Sequence, residues 1–342
     1  MPLVSSLGLM NAIGFGFSAA ITPTIAVAHF STPFISTYPW SAGFGTKYAD
    51  PSTLPPSTGR GVSFNSTGTA IAVAHDITPF ISAYPWSVGF GTKYANPSTL
   101  PTSDGRGVSF NPAGTAIAVA HVSTPFISTY PWSAGFGTKY ANPSTLPIGT
   151  GNSVSFNPAG TAIAVTHVST PFISTYPWSA GFGTKYADPS TLPPSNTFSV
   201  SFNPAGTAIA VAHGTTPFIS TYPWSAGFGT KYADPSTLPP STGRGVSFNP
   251  AGTAIAVAHS LTPFISAYPW SAGFGTKYAN PSTLPIGTGN SVSFNPAGTA
   301  IAVAHSLTPF ISAYPWSVGF GTKYANPSTL PTSTGNSVSF SI

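Results

Sequence analysis

Seven histidines are the residues of this chain best suited to proton transfer or metal ligation. They fall at His29, His75, His121, His167, His213, His259 and His305, always 46 residues apart. A zinc ion needs several donors within about 2 Å of itself. Equivalent residues on neighbouring packed sheets stand roughly 10 Å apart, and no Asp, Glu or Cys recurs beside the histidines. The spacing therefore predicts seven copies of one structural hydrogen bond, with no metal and no cofactor.

The other groups that could do chemistry are few. Glu and Cys are absent, and the five acids are Asp50, Asp76, Asp104, Asp188 and Asp234. Asp50, Asp188 and Asp234 precede Pro at a turn position that Asn96, Asn142, Asn280 and Asn326 fill in other repeats, so a short side-chain acceptor is all that position asks for. Asp76 and Asp104 remain, and they could share one loop site with Arg60 or Arg106. Nothing specifies a paired acid and base there, and the expectation is a protein that is not an enzyme. A loop-borne catalytic site stands as a remote alternative.

The elements that position these residues follow from the 46-residue period. Seven Trp (Trp40, Trp86, Trp132, Trp178, Trp224, Trp270, Trp316) keep the same step as the histidines. In the unit around Val62, residues 61–65 alternate apolar and polar as a half-buried strand does. A turn with Gly68 follows, and in later units it reads Asn-Pro-Ala-Gly. Residues 69–75 put Ile71, Val73 and His75 on one side and Ala70, Ala72 and Ala74 on the other. That pattern suits a sheet sandwiched between two others. Residues 80–86 form a third strand interrupted by Pro85, and residues 90–95, with Lys93 in the middle, an outer fourth.

Four short strands per repeat predict an all-β fold, a seven-bladed β-propeller of four-stranded antiparallel blades. Residues 337–342 match the first strand and end there, while the N-terminal unit lacks one. The ring is therefore expected to close by that C-terminal strand pairing innermost into the N-terminal blade. Residues 21–342 make the propeller, and residues 1–20 form an N-terminal arm outside the repeat count. That arm has no Lys or Arg for a signal-peptide n-region.

The pieces Val154-Ser155-Phe156-Asn157-Pro158-Ala159-Gly160, residues 161–165 and Tyr176-Pro177-Trp178 resemble those of WD40 propellers. Ser179 stands where that family usually has Asp, and no Gly-His pair precedes the first strand. His167 is then expected to offer Trp178 a substitute contact. The near-identical repeats are also similar to WD40-like proteins of phages and environmental viruses. The resemblance implies a noncatalytic interaction or structural module, located on a virion or outside the cell, with a cytoplasmic location also open. Its partner would be another virion protein or a host surface protein. The alternative is a multivalent lectin that stacks glycans on ring-repeated Tyr and Trp.

Differences between repeats locate the expected contact surface. The two residues after each His vary, and so does the linker between units. Because the chain reverses at each turn, both variable connections belong to one face of the disc. Arg60, Asp76, Asp104, Arg106, Phe198 and Arg244 are the candidate binding residues there. The net charge of +5, with 4% charged residues, is too dispersed for nucleic acid. A surface so poor in charge favours self-association. No apolar run reaches the length of a membrane helix.

Overall fold

The computed structural model describes residues 22–341. The expected N-terminal arm and Ile342 lie outside the described residues. Twenty-one strands, β1 (Thr24–His29) to β21 (Gly335–Phe340), form seven separate sheets. The second repeat shows the pattern. β3 (Gly59–Phe64), β4 (Ala70–His75) and β5 (Ile81–Pro85) pair antiparallel in that order. Val62 stands opposite Val73 and Phe64 opposite Ile71, with a register shift between Gly59 and Gly61.

The alternation read from residues 69–75 sets how sheets stack. Ala70, Ala72 and Ala74 share one core cluster with Val108, Phe110, Ile117, Val119 and Trp132 of the following blade. The alanine side lets the next sheet approach, and the branched and aromatic side fills the gap. Seven such clusters join every blade to its neighbour, the last one joining Ala300 and Ala302 to Ile25 and Val27. Trp86 pins this stacking from the rim. Its ring meets Phe90, Phe64 and Tyr48 of the preceding repeat edge-on at 4.9, 5.7 and 5.3 Å, a geometry that adds to area burial.

The ring is completed by the two chain ends. β21 pairs antiparallel with β1, Val338 opposite Val27 and Phe340 opposite Ile25. Ser341 occupies the position of the turn Asn in other blades. Its hydroxyl accepts the Thr24 N–H at 2.9 Å, and its own N–H reaches the Thr24 carbonyl at 2.8 Å.

The blades are three-stranded, which corrects the expected four. Residues 90–95 run beside β5 without forming a ladder: Gly91 and Tyr94 donate N–H to the Pro85 and Ala83 carbonyls, both at 2.9 Å, and Phe90 bridges Trp86 just beyond the strand's end. Pro85 ends β5 without a donor, and the Tyr94 side chain turns to the next blade's Trp132, 5.2 Å away. The segment therefore serves the inter-blade seam instead of a ladder.

Candidate functional site

The innermost strand of each blade faces the central channel, and its second residue takes the same place seven times. That position holds Arg60, Arg106 and Arg244, Asn152, Asn290 and Asn336, and Phe198. Among nearly identical repeats, the channel is thus lined by three different chemistries. The ring borders two adjoining cavities of about 150 and 180 Å³.

The ring lies at one end of the channel. Gly59 pairs with His75, so Arg60 sits level with the loop that follows the histidine. Gly59 has no side chain for a reason: a Cβ there would come within 2.3 Å of the Phe34 carbonyl of the preceding blade. Arg60 and Arg244 each reach the position 16 residues further on in their own blade. Arg60 does so with a two-pronged ion pair, Nε to Asp76 Oδ1 at 2.8 Å and Nη2 to Oδ2 at 2.7 Å. Arg244 donates Nε to Ser260 Oγ at 2.9 Å and lies over the Phe198 ring, 5.8 Å from its centroid. Partial burial pushes the Arg244 pKa down from its usual value.

Arg106 differs from both. Val122 takes the place of an acceptor, and the buried Nε of Arg106 has no hydrogen-bond partner. Among the described residues the ion pairs are Lys47–Asp50, Arg60–Asp76, Lys185–Asp188 and Lys231–Asp234. Neither Arg106 nor Arg244 has a carboxylate. The ring therefore carries unbalanced positive charge in a recess, where a guanidinium binds anions more strongly than in open water.

The asparagines seal the wall. Asn152, Asn290 and Asn336 donate Nδ2 to the carbonyls of Thr197, Gly335 and Gly59 on the next innermost strand, at 2.8, 2.9 and 2.8 Å. Of the sequence-derived binding candidates, the structure brings Arg60, Asp76, Arg106, Phe198 and Arg244 to this mouth. Asp104 stands at its edge, where its carbonyl accepts the Val122 N–H at 3.2 Å. Asn152, Asn290 and Asn336 were missed. The signal was present in the comparison of repeats at the position just after the varied linker.

The histidines are fully buried at the ends of the middle strands. In every blade the His Nε2 lies about 3.0 Å from a buried Ser hydroxyl, as in His167–Ser174. His167 Nδ1 lies 2.8 Å from the Ser169 carbonyl, so Nδ1 carries the proton and Nε2 accepts from the serine. Burial pushes all seven histidine pKa values down from 6.5 to about 4. These Ser–His pairs have no solvent access and so cannot attack a substrate. The expected contact of His167 with Trp178 is not made, because the ring is held by Ser174 within its own blade. Among the described residues, no group of three or more His, Cys, Asp or Glu could hold a metal ion.

No family model matches the chain. No curated protein is detectably similar to it in sequence. Solved structures do share its fold. A protein of Bacteroides fragilis provisionally assigned as a 6-phosphogluconolactonase matches with a TM-score of 0.72 and 14% identity, over 94% of this chain and 99% of that one. The periplasmic gluconolactonase of Pseudomonas aeruginosa matches at 0.68 and 11%, over 94% and 99%. A functionally unknown protein of Desulfotomaculum acetoxidans matches at 0.70 and 11%, over 93% and 98%.

Identities this low show the fold alone. They nevertheless correct the resemblance to WD40 and viral proteins, since the propellers this chain is similar to include lactonases. The expectation of a noncatalytic virion or protein-interaction module falls with that resemblance. So do the structural-protein and lectin readings and the expectation that the chain is not an enzyme. No particular protein partner is indicated, and no helix among the described residues is long and apolar enough to cross a membrane.

Proposed function

We propose that this propeller is a lactonase-type hydrolase that opens an anionic sugar lactone at the arginine-lined channel mouth. The observation that carries the reading is Arg106, whose buried Nε lacks a partner beside a recess that Arg244 makes more positive. A carboxylate or phosphate on the substrate would complete it. Phe198, beneath Arg244, offers an apolar face to a sugar ring. The names of the solved neighbours, gluconolactonase and 6-phosphogluconolactonase, supply the reaction class.

The chemistry asks little of the protein. Water adds to the lactone carbonyl, and the charge that develops on its oxygen is stabilised by a guanidinium. The Asp76 carboxylate, oriented by Arg60, accepts the proton from water. The ring C–O bond then breaks, its oxygen takes that proton, and an open-chain hydroxy acid leaves. No metal enters these steps.

The test is a pH-stat assay of 6-phosphogluconolactone and gluconolactone against the spontaneous rate. Acceleration that disappears in Arg106→Gln and Asp76→Asn supports the reading. A wild-type rate equal to the spontaneous one would refute it.

A further inference from the structure

The face that carries the channel mouth also carries most of the exposed apolar side chains of the disc. Phe30, Ile77, Leu261 and Leu307 follow the histidines, and Ile148 and Ile286 lie in the linkers; each is between 50% and 58% exposed. The repeat places the post-histidine residues at one height around the mouth. The backbone groups of two of these tips are already satisfied. Ile77 and Leu261 donate N–H to Ser57 Oγ and Ser241 Oγ at 2.9 and 2.8 Å, and their carbonyls accept from Phe80 and Phe264 at 2.8 and 2.7 Å. Such tips can leave water without exposing an unpaired peptide group.

Charge decides what they meet. A second copy docking by the same face would bring like charge against Arg106 and Arg244, with Asp76 already held by Arg60 and the single Asp104, at the mouth's edge, to offset them. An anionic lipid surface presents phosphate to those guanidinium groups and an acyl layer to the tips. We propose that this face docks on anionic phospholipid membranes, with Ile77, Leu261 and Leu307 entering the interface around the cationic mouth. Docking and lactone binding then compete for one mouth.

The test is co-sedimentation of the full chain with vesicles of phosphatidylglycerol and of phosphatidylcholine. Its variant is the triple change Ile77→Ser, Leu261→Ser, Leu307→Ser. Serine is what the sister repeats hold at Ser31, Ser123 and Ser169, so an unchanged melting temperature is expected. Losing an inserted Leu or Ile is worth about tenfold each. Binding to phosphatidylglycerol vesicles that weakens at least about a hundredfold in the triple variant supports the proposal. Val88→Ser and Val318→Ser, on the opposite face, should leave binding unchanged. Absence of wild-type binding, equal binding by the triple variant, or a concentration-dependent dimer without vesicles that the triple variant abolishes would each overturn it. Binding is read directly, so the result stands apart from whether the chain opens lactones.

Discussion

Arg60 grips Asp76 through two hydrogen bonds of 2.8 and 2.7 Å, whereas Arg106, at the same place one blade later, faces Val122 and leaves its Nε unpaired. One repeat thus spends its arginine on its own loop, and the next leaves it for a ligand. The two should respond differently to the same substitution. Arg106→Gln is expected to weaken binding of 6-phosphogluconate by one to two orders of magnitude, since a charge-assisted hydrogen bond is worth about 1.5–3 kcal/mol, with no fall in melting temperature. Arg60→Gln should lower stability by about 1 kcal/mol, because the pair is partly exposed. Calorimetric titration and thermal melts separate the two, and equal effects on binding would contradict the distinction.

Acid should loosen the ring in a defined window. The seven histidines titrate near 4 in the fold against about 6.5 when unfolded. Between those values the unfolded chain binds more protons, so stability falls as pH drops from about 6.5 to 4 and is flat above. A shift of this size is worth on the order of 3 kcal/mol per histidine at full effect. Denaturant midpoints measured from pH 8 to pH 4 should show the decline beginning near 6.5. Constant midpoints across that range would show that the histidines are not buried neutral.

Serine removal tests the same bond from its other end. Ser82→Ala takes away the hydroxyl bonded to His75 Nε2, 3.0 Å distant, and strands a buried ring nitrogen. The expected cost is about 1–3 kcal/mol. Replacing His75 and Ser82 together by apolar residues should cost less than the two single losses combined, as a double-mutant cycle would read.

Closure rests on β21. Phe340 packs its ring 5.2 Å from Trp40, and Val338 lies opposite Val27. Deleting residues 335–342 removes these contacts and bares both the β1 edge and the seam with the last blade. Several kcal/mol should be lost, and Phe340→Ala alone is expected to cost about 3–5 kcal/mol. A truncated chain that melts with the full-length one would show that the ring is held elsewhere.

Much of this architecture was legible in the residues themselves. The 46-residue period gave seven blades, the Ala70/Ile71 alternation gave the stacking of sheets, and the match of Val338 and Phe340 to the first strand gave closure. The outer strand was misread because Lys93 and Tyr94 alternate as strand residues do, while nothing in residues 90–95 shows that Tyr94 is claimed by the Trp132 of another blade. The mouth was legible only in part. Arg60, Arg106, Phe198 and Arg244 stand out as differences between repeats, but the pairing of Arg60 with Asp76, and its absence at Arg106, depends on which loop residue lies 16 positions on in space. The WD40 likeness failed because its strand pattern is shared by propellers of other kinds, and fold-level pattern does not carry function.

The most direct check on the channel-mouth account is a crystal structure of the protein soaked with 6-phosphogluconate, the acid that the proposed reaction would release. The account predicts density for the acid among Arg106, Arg244 and Phe198, with its phosphate or carboxylate on the Arg106 guanidinium. An empty mouth at saturating ligand, or the acid lodged instead between blades beside Tyr94 and Phe136, would contradict it.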